Sequence, residues 1–132
     1  MSYPTYNVLA RERTWALMQI EFYKTCDGSM PAQEFLDSLD RKMHAKMIMS
    51  IDLLAELGPM LRLPVSEPLG DGIFELRAIS GSNITRVLYF FCVGNKACLT
   101  NGFIKKTQKT PQSEIKLAKK YREDYLRRCS ND

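Results

Sequence analysis

The pattern of apolar and polar positions predicts a strand and two helices in the first half of the chain. Residues 15–23 alternate apolar with polar side chains towards their end, which is typical of a strand with one buried face. Apolar side chains then recur at helical spacing over residues 41–57, and Gly58-Pro59 follows as a stop signal. A shorter helix begins at Pro31, because a proline in the first turn loses no hydrogen bond.

Three more strands and a last helix are predicted in the second half, after a loop rich in proline and glycine at residues 59–72. The strands span residues 73–79, 84–93 and 97–105. Short connections that contain Gly and Asn join them, as in antiparallel hairpins. Pro111 opens the last helix, with Thr110 as its N-cap.

This order of elements predicts an α+β fold. Because helices and strands are grouped rather than alternating, we expect a helical hairpin and a C-terminal helix on one face of a small twisted antiparallel sheet. A chain of 132 residues is the size of a single hydrophobic core, so one domain is expected at residues 15–130. Residues 1–14 have little apolar periodicity and are interpreted as an N-terminal extension.

Composition excludes several classes of protein. With 45% hydrophobic and 26% charged residues, the chain is typical of a globular protein rather than of a disordered or repetitive one. No apolar run approaches the roughly 18 residues that a membrane helix needs, and the N-terminus shows no secretion signal. We therefore expect a cytoplasmic protein that does not bind a membrane.

Charge is distributed unevenly along the chain. Residues 1–70 carry 7 basic and 9 acidic side chains, a net charge of −2, whereas residues 71–132 carry 12 and 6, a net charge of +6. A basic surface favours a polyanion such as nucleic acid, because each phosphate contact releases counterions. A solvated basic helix near the C-terminus explains the same charge equally well.

Cysteine and histidine are too sparse for metal or cofactor chemistry. The four cysteines form no CxxC pair, and the single histidine, His44, lies inside a predicted helix. A structural zinc site needs four such ligands in close spacing. We therefore predict free thiols, no metal, no cofactor and no histidine-based catalysis.

Two arginines and a lysine-rich segment are the candidates for binding phosphate. Arg86 stands in an otherwise apolar strand, where it must point to solvent, pair with an acid or serve a site. The purely structural alternative is an ion pair of Glu75 with Arg86 or Arg77. Further along, three lysines and a phenylalanine precede a helix N-terminus, where they suit a phosphate and a base; they are Lys105, Lys106, Lys109 and Phe103. A solvated basic loop is the alternative there.

Three stretches of the sequence together resemble a known family. They are GDGIFELR at 70–77, SNITRVLYFF at 82–91 and GFIKKTQKTP at 102–111, of which the last is the most specific. Over about residues 17–127, the chain resembles the phage-derived HigB-like branch of the RelE/ParE toxin superfamily. The resemblance implies a RelE-like fold and a toxin of a type II toxin–antitoxin system.

The resemblance also implies an activity and partners. Such toxins are mostly ribosome-dependent mRNA endoribonucleases that use no metal, and a cognate antitoxin, often a helix-turn-helix protein, neutralises them. The ribose 2′-hydroxyl attacks the adjacent phosphodiester, so fixed cations around the phosphate stabilise the transition state. We therefore expect the substrate to be mRNA on the ribosome.

The catalytic hypothesis assigns particular side chains to this reaction. Arg77, Arg86, Lys105 and Lys106 are expected to converge on one phosphate from an exposed sheet face, with Tyr89, Asn101, Phe103 and Lys109 binding RNA. Many relatives have a histidine before the Gly-Phe pair, where this chain has Asn101, whose amide carries no proton at neutral pH. The alternatives are therefore a ParE-like gyrase inhibitor or an inactive phage-derived binding protein.

Overall fold

The computed structural model describes residues 17–105 and 109–130, except for the side chains at positions 105 and 130. The strands are β1 (Gln19–Phe22), β2 (Ser66–Gly70), β3 (Ile73–Ser80), β4 (Asn83–Cys92) and β5 (Lys96–Lys105). The helices are α1 (Pro31–Asp37), α2 (Arg41–Leu57) and α3 (Gln112–Ser130), and a 3₁₀ turn follows α2 at Gly58–Met60. The α+β class is confirmed, and the predicted extension at 1–14 lies outside the described residues. None of these helices is both long and apolar enough to cross a membrane.

All five strands form one mixed sheet in the order β1-β5-β4-β3-β2. The meander from β3 to β5 is antiparallel, as predicted, and β2 extends it antiparallel to β3. β1 pairs with β5 in parallel, so the prediction of a purely antiparallel sheet is wrong. Hairpin signals fix the directions of the meander strands relative to one another, but no short turn connects β1 to any of them.

Helices cover both faces of the sheet. α1 and α2 pack on one face against Leu76, Val87 and Leu99, whereas α3 packs on the other face against Leu88 and Phe90. The prediction that all helices share one face is therefore wrong. The physical reason is visible in β4, where consecutive side chains are buried, because a strand that is covered on both faces is apolar on both.

A β-bulge in β5 determines which side chains face α3. The pairing of β4 with β5 shifts so that Leu88 pairs with Asn101 and Tyr89 with Leu99. Thr100 is the extra residue, and its hydroxyl donates to the Leu88 carbonyl at 3.1 Å. Because one inserted residue reverses the alternation of a strand, the side chains from Asn101 onward change faces.

β2 lies within the segment that the sequence predicts to be a loop. Pro68 and Gly70 are loop signals, but an edge strand tolerates a proline because one of its sides makes no ladder hydrogen bonds. The pairing with β3 is irregular between these two residues. β2 matters for the site, because its register brings Glu67 opposite Glu75 of β3.

Gly102 lies on β5 where α1 crosses the sheet, and it leaves no room for a side chain. An added methyl group would lie 2.8 Å from Cε2 of Phe35 and 3.1 Å from the carbonyl oxygen of Arg86. We predict that Gly102→Ala lowers the free energy of unfolding by about 1–3 kcal/mol, as overpacking does. Chemical denaturation measures this loss. The loss should be smaller in a Phe35→Leu background, and an equal loss in both backgrounds would show that the ring is not the cause.

Candidate functional site

Three of the predicted site residues form one row across the sheet. In the strand register, Arg77 of β3 pairs with Arg86 of β4, which in turn pairs with Phe103 of β5. Residues directly opposite each other in adjacent strands project from the same face. The two arginines and the ring therefore lie side by side, on the face that α3 partly covers.

A buried carboxylate holds both arginines. Glu75 is completely buried, and its Oε2 accepts a hydrogen bond from Arg77 Nε at 2.5 Å. Its Oε1 lies 3.5 Å from Arg86 Nη1. Glu67 of β2 forms a second ion pair with Arg77. Two guanidinium groups thus face two carboxylates. This is the ion pairing that the sequence predicts as the structural alternative to a phosphate-binding site.

This pairing corrects the prediction of an exposed cationic patch built from both arginines. Arg86 has an exposed fraction of only 1%, and the side chain of Arg77 one of 19%. Arg86 therefore cannot contact a phosphate in this conformation. Arg77 reaches the surface, and its Nη1 has no hydrogen-bond partner among the described residues.

Thr110 connects the start of α3 to these charges. Its buried hydroxyl donates to Glu75 Oε1 and accepts a hydrogen bond from Arg86 Nη1 at 3.1 Å. The sequence predicts that Thr110 caps the helix, but its hydroxyl binds Glu75 and Arg86 instead. We define the Glu75 cluster as the group of five contacting residues Glu67, Glu75, Arg77, Arg86 and Thr110.

Asn101 is buried beside the Glu75 cluster rather than exposed on the surface. Its amide nitrogen donates to the backbone oxygen of Glu114 at 3.3 Å and to Glu114 Oε1 at 2.9 Å. Its Oδ1 is buried without a hydrogen-bond partner in the part of the chain that the structure describes. The side chain therefore anchors the first turn of α3, and the predicted contact with RNA would require that turn to move.

Tyr89 lies on the wrong face of the sheet for the predicted contact with a base. Its buried ring contacts Phe74 and Phe91 on the face that α1 and α2 cover. Its hydroxyl shares a 2.5 Å hydrogen bond with Ser66 Oγ, and burial raises the pKa of the tyrosine. The prediction that Tyr89 stacks on RNA is wrong for this fold, because neighbouring residues of a strand point to opposite faces.

The remaining predicted residues belong to the end of β5 and to the segment that joins β5 to α3 in the sequence. Phe103 is half-buried, and Lys109 is exposed. Lys105 ends β5, and its side chain, like the whole of Lys106, lies outside the described residues. We define the candidate site as the sheet edge where Arg77, Phe103 and Lys109 reach the surface. Within residues 17–105 and 109–130, no group of three His, Cys, Asp or Glu side chains is arranged to hold a metal ion.

Sequence reasoning overlooks Glu67 and the role of Thr110. Glu67 falls in the predicted loop, and only its position opposite Glu75 brings it to Arg77. Neither contact has a signal in the sequence, because each depends on how separate elements pack. Glu75 itself could be anticipated, since an arginine in an apolar strand requires a counterion.

The chain matches the model of the phage-derived Gp49-like protein family (DUF891) over residues 34–123, a segment that contains the whole Glu75 cluster. The chain therefore belongs to this family, which is RelE-like and toxin-related. The predicted kinship with RelE-like toxins is confirmed at this level, whereas the narrower HigB-like assignment is not. Among curated proteins, no significant match to the sequence was found.

The Glu75 cluster makes a prediction about stability. In Glu75→Gln, the buried Arg86 loses its counterion, so we expect the free energy of unfolding to fall by about 3–5 kcal/mol. Glu67→Gln is the matched control, since Glu67 is partly exposed and pairs with Arg77 at the surface. We expect it to lose about 1 kcal/mol or less. Chemical denaturation of both variants measures the difference, and losses of equal size would contradict the central role of Glu75.

Proposed function

We propose that this protein is the toxin of a type II toxin–antitoxin system, and that it is a metal-independent, ribosome-dependent endoribonuclease that cleaves mRNA. Membership in a RelE-like, toxin-related family supports a toxin. The observation that carries the nuclease is the cross-strand row in which Arg77 and Phe103 reach the surface on either side of the buried Arg86; the lysines at 105, 106 and 109 follow Phe103 in the sequence. Cations and an aromatic ring at one sheet edge suit a phosphate and an unstacked base.

Arg77 is the proposed catalytic cation. Glu75 and Glu67 bind it through Nε and Nη2, which leaves the N–H groups of Nη1 for a phosphate oxygen. In the reaction, the 2′-hydroxyl gives its proton to solvent and its oxygen forms a bond to the phosphorus. The bond to the 5′-oxygen breaks, which leaves a 2′,3′-cyclic phosphate and a 5′-hydroxyl group. Negative charge develops on the phosphate oxygens meanwhile, and a guanidinium that is already fixed in place stabilises it.

Lys105 and Lys106 supply the second part of the proposed catalytic charge. Lys105 is the last residue of β5, the strand that carries Phe103, and Lys106 is the next residue in the sequence. In this proposal, one lysine ammonium donates a proton to the leaving 5′-oxygen, and the other binds the phosphate. Phe103 stacks on the base, and Lys109 binds the RNA backbone.

Arg86 acts in this proposal as a positioning residue rather than a catalytic one. It is buried, but its charge balances Glu75, which in turn holds Arg77 through Nε. Asn101 positions the first turn of α3 in the same way, through its bonds to Glu114. Both residues therefore affect the reaction through the geometry of others.

The proposed partners follow from the same assignment. The substrate is mRNA on the ribosome, in the cytoplasm, and no cofactor takes part. A cognate antitoxin, for which we propose a helix-turn-helix protein, neutralises the toxin. The basic second half of the chain, with its net charge of +6, supports an RNA substrate.

A second candidate function is a toxin-fold protein that binds its target without cutting RNA, either a gyrase inhibitor or an inactive phage-derived binding protein. The observation in its favour is the Glu75 cluster, in which two carboxylates neutralise both arginines. The burial of Asn101 supports it too, because this position offers no exposed proton carrier.

Induced expression in a sensitive bacterial host distinguishes the two functions. We predict that the intact chain halts growth and cleaves translated mRNA, and that Arg77→Ala lowers the cleavage rate on programmed ribosomes by about 10²–10³-fold, as loss of a transition-state donor does. Arg127→Ala is the matched control, because this exposed arginine lies near the far end of α3 and should leave cleavage unchanged.

The kind of damage decides between the outcomes. Growth arrest with intact transcripts and DNA-damage signalling would favour gyrase inhibition. Unaffected growth and tight RNA binding without cleavage would favour the inactive binding protein. Equal cleavage by the intact chain and Arg77→Ala would refute the proposed role of Arg77, provided that thermal unfolding shows both to be folded.

A further inference from the structure

The outer face of α2 carries an unusual number of exposed apolar side chains. Ala45, Met49, Leu53 and Leu57 recur at four-residue spacing, so they form one stripe along the helix. The three large members have exposed fractions between 37% and 55%. Ile48 lies beside this stripe and is exposed as well.

This stripe is not part of the core. The opposite side of α2 already packs on the sheet through its own buried side chains, which are Met43, Met47, Ile51 and Leu54. A helix with one buried face normally presents polar residues to water. A continuous apolar stripe on the other face indicates a surface that binds another molecule.

The charges of α2 indicate what covers the stripe. Its first part carries Arg41, Lys42 and Lys46, and its last part carries Asp52 and Glu56. A helix is stabilised by acidic residues near its N-terminus and basic residues near its C-terminus, which is the reverse of this arrangement. This distribution therefore does not stabilise the isolated helix. In an antiparallel copy of the same helix, however, the acidic part lies beside the basic part of the first.

The spacing of these residues is symmetrical about Met49. Lys42 and Glu56 each lie seven residues from Met49, which is about 10 Å along the axis in either direction. Seven residues are close to two helical turns, so all three share one line on the outer face. A second helix that runs antiparallel across Met49 therefore brings each Lys42 to the Glu56 of the other copy.

We propose that two copies of this chain form a dimer by packing their α2 helices antiparallel around a two-fold axis near Met49. The apolar stripes form the seam, in which Ala45 of each copy faces Leu53 of the other, a small residue against a large one. Lys42 pairs with Glu56 at both ends of the seam. Lys46 lies to one side of the seam and donates to the Ile79 carbonyl of its own sheet at 3.0 Å.

The symmetry makes the dimer sensitive to single substitutions. In a two-fold interface each residue contributes twice, so one substitution alters two contacts. α2 and α3 pack on opposite faces of the sheet, but Met49 and Leu53 also line a groove that reaches Arg77. The dimer is tested by the oligomeric state of the chain, which is a different measurement from RNA cleavage.

The test measures the oligomeric state of the full chain by sedimentation velocity over a range of concentrations. We expect a concentration-dependent dimer, and Leu53→Glu should raise the dissociation constant by about 100-fold or more, because it places two charges in the apolar seam. Leu126→Glu is the matched control, since Leu126 is an exposed leucine on α3 and should leave the dimer unchanged. Circular dichroism verifies that both variants are folded.

A charge exchange tests the pairing directly. Lys42→Glu and Glu56→Lys should each weaken the dimer, whereas the double variant should restore it, because opposite charges then meet again at both ends of the seam. A chain that stays monomeric at high concentration would overturn the proposal. So would a dimer that Leu53→Glu leaves intact, or a double variant that is no stronger than the single ones. A monomer whose stripe is protected only when a different protein is added would assign the surface to that protein instead.

Discussion

The carboxylate of Glu75, buried between two guanidinium groups, is the interaction on which the centre of this fold depends. An arginine inside an apolar strand is tolerated only where its charge is balanced, and Glu75 supplies that balance for Arg86. The same carboxylate binds Arg77 of its own strand and accepts from Thr110, which precedes α3. Removing the charge of Glu75 would therefore disturb β3, β4 and the start of α3 together, because residues from all three bind its two carboxylate oxygens.

This arrangement gives the two arginines different roles, although they are neighbours in the sheet. Arg86 balances Glu75 from inside the fold, whereas Arg77 extends to the surface and is held there by carboxylates on two sides. The two carboxylates reduce the net positive charge around Arg77, but they also fix the orientation of its guanidinium group. A group that is already oriented stabilises the charge of a transition state without first having to reorganise. Part of this could be predicted, because alternation puts Glu75 and Arg77 on one strand face. The burial of Asn101 could not, since it depends on the bulge at Thr100.

Local sequence signals predict where most helices and strands lie, but they predict less well which elements pair or pack together. Gly58-Pro59 ends α2 where it was predicted to end, and the hairpin turns define β3, β4 and β5 to within a residue or two. The sequence does not predict β2, because Pro68 and Gly70 are typical of loops. Only the pairing with β3 makes this segment a strand. A run such as 84–93 predicts a strand, but it does not say that both faces are covered. In each case the missing information concerns contacts between elements that are distant in the chain.

The parallel pairing of β1 with β5 has a consequence for how the molecule is made. The first strand of the described chain obtains its only strand partner from the last one, Lys96–Lys105. During synthesis, β1 must wait until residues 96–105 have left the ribosomal tunnel, since contacts between distant segments form late. Until then, a nascent chain cannot close its sheet, so the fold is completed only after β5 has emerged.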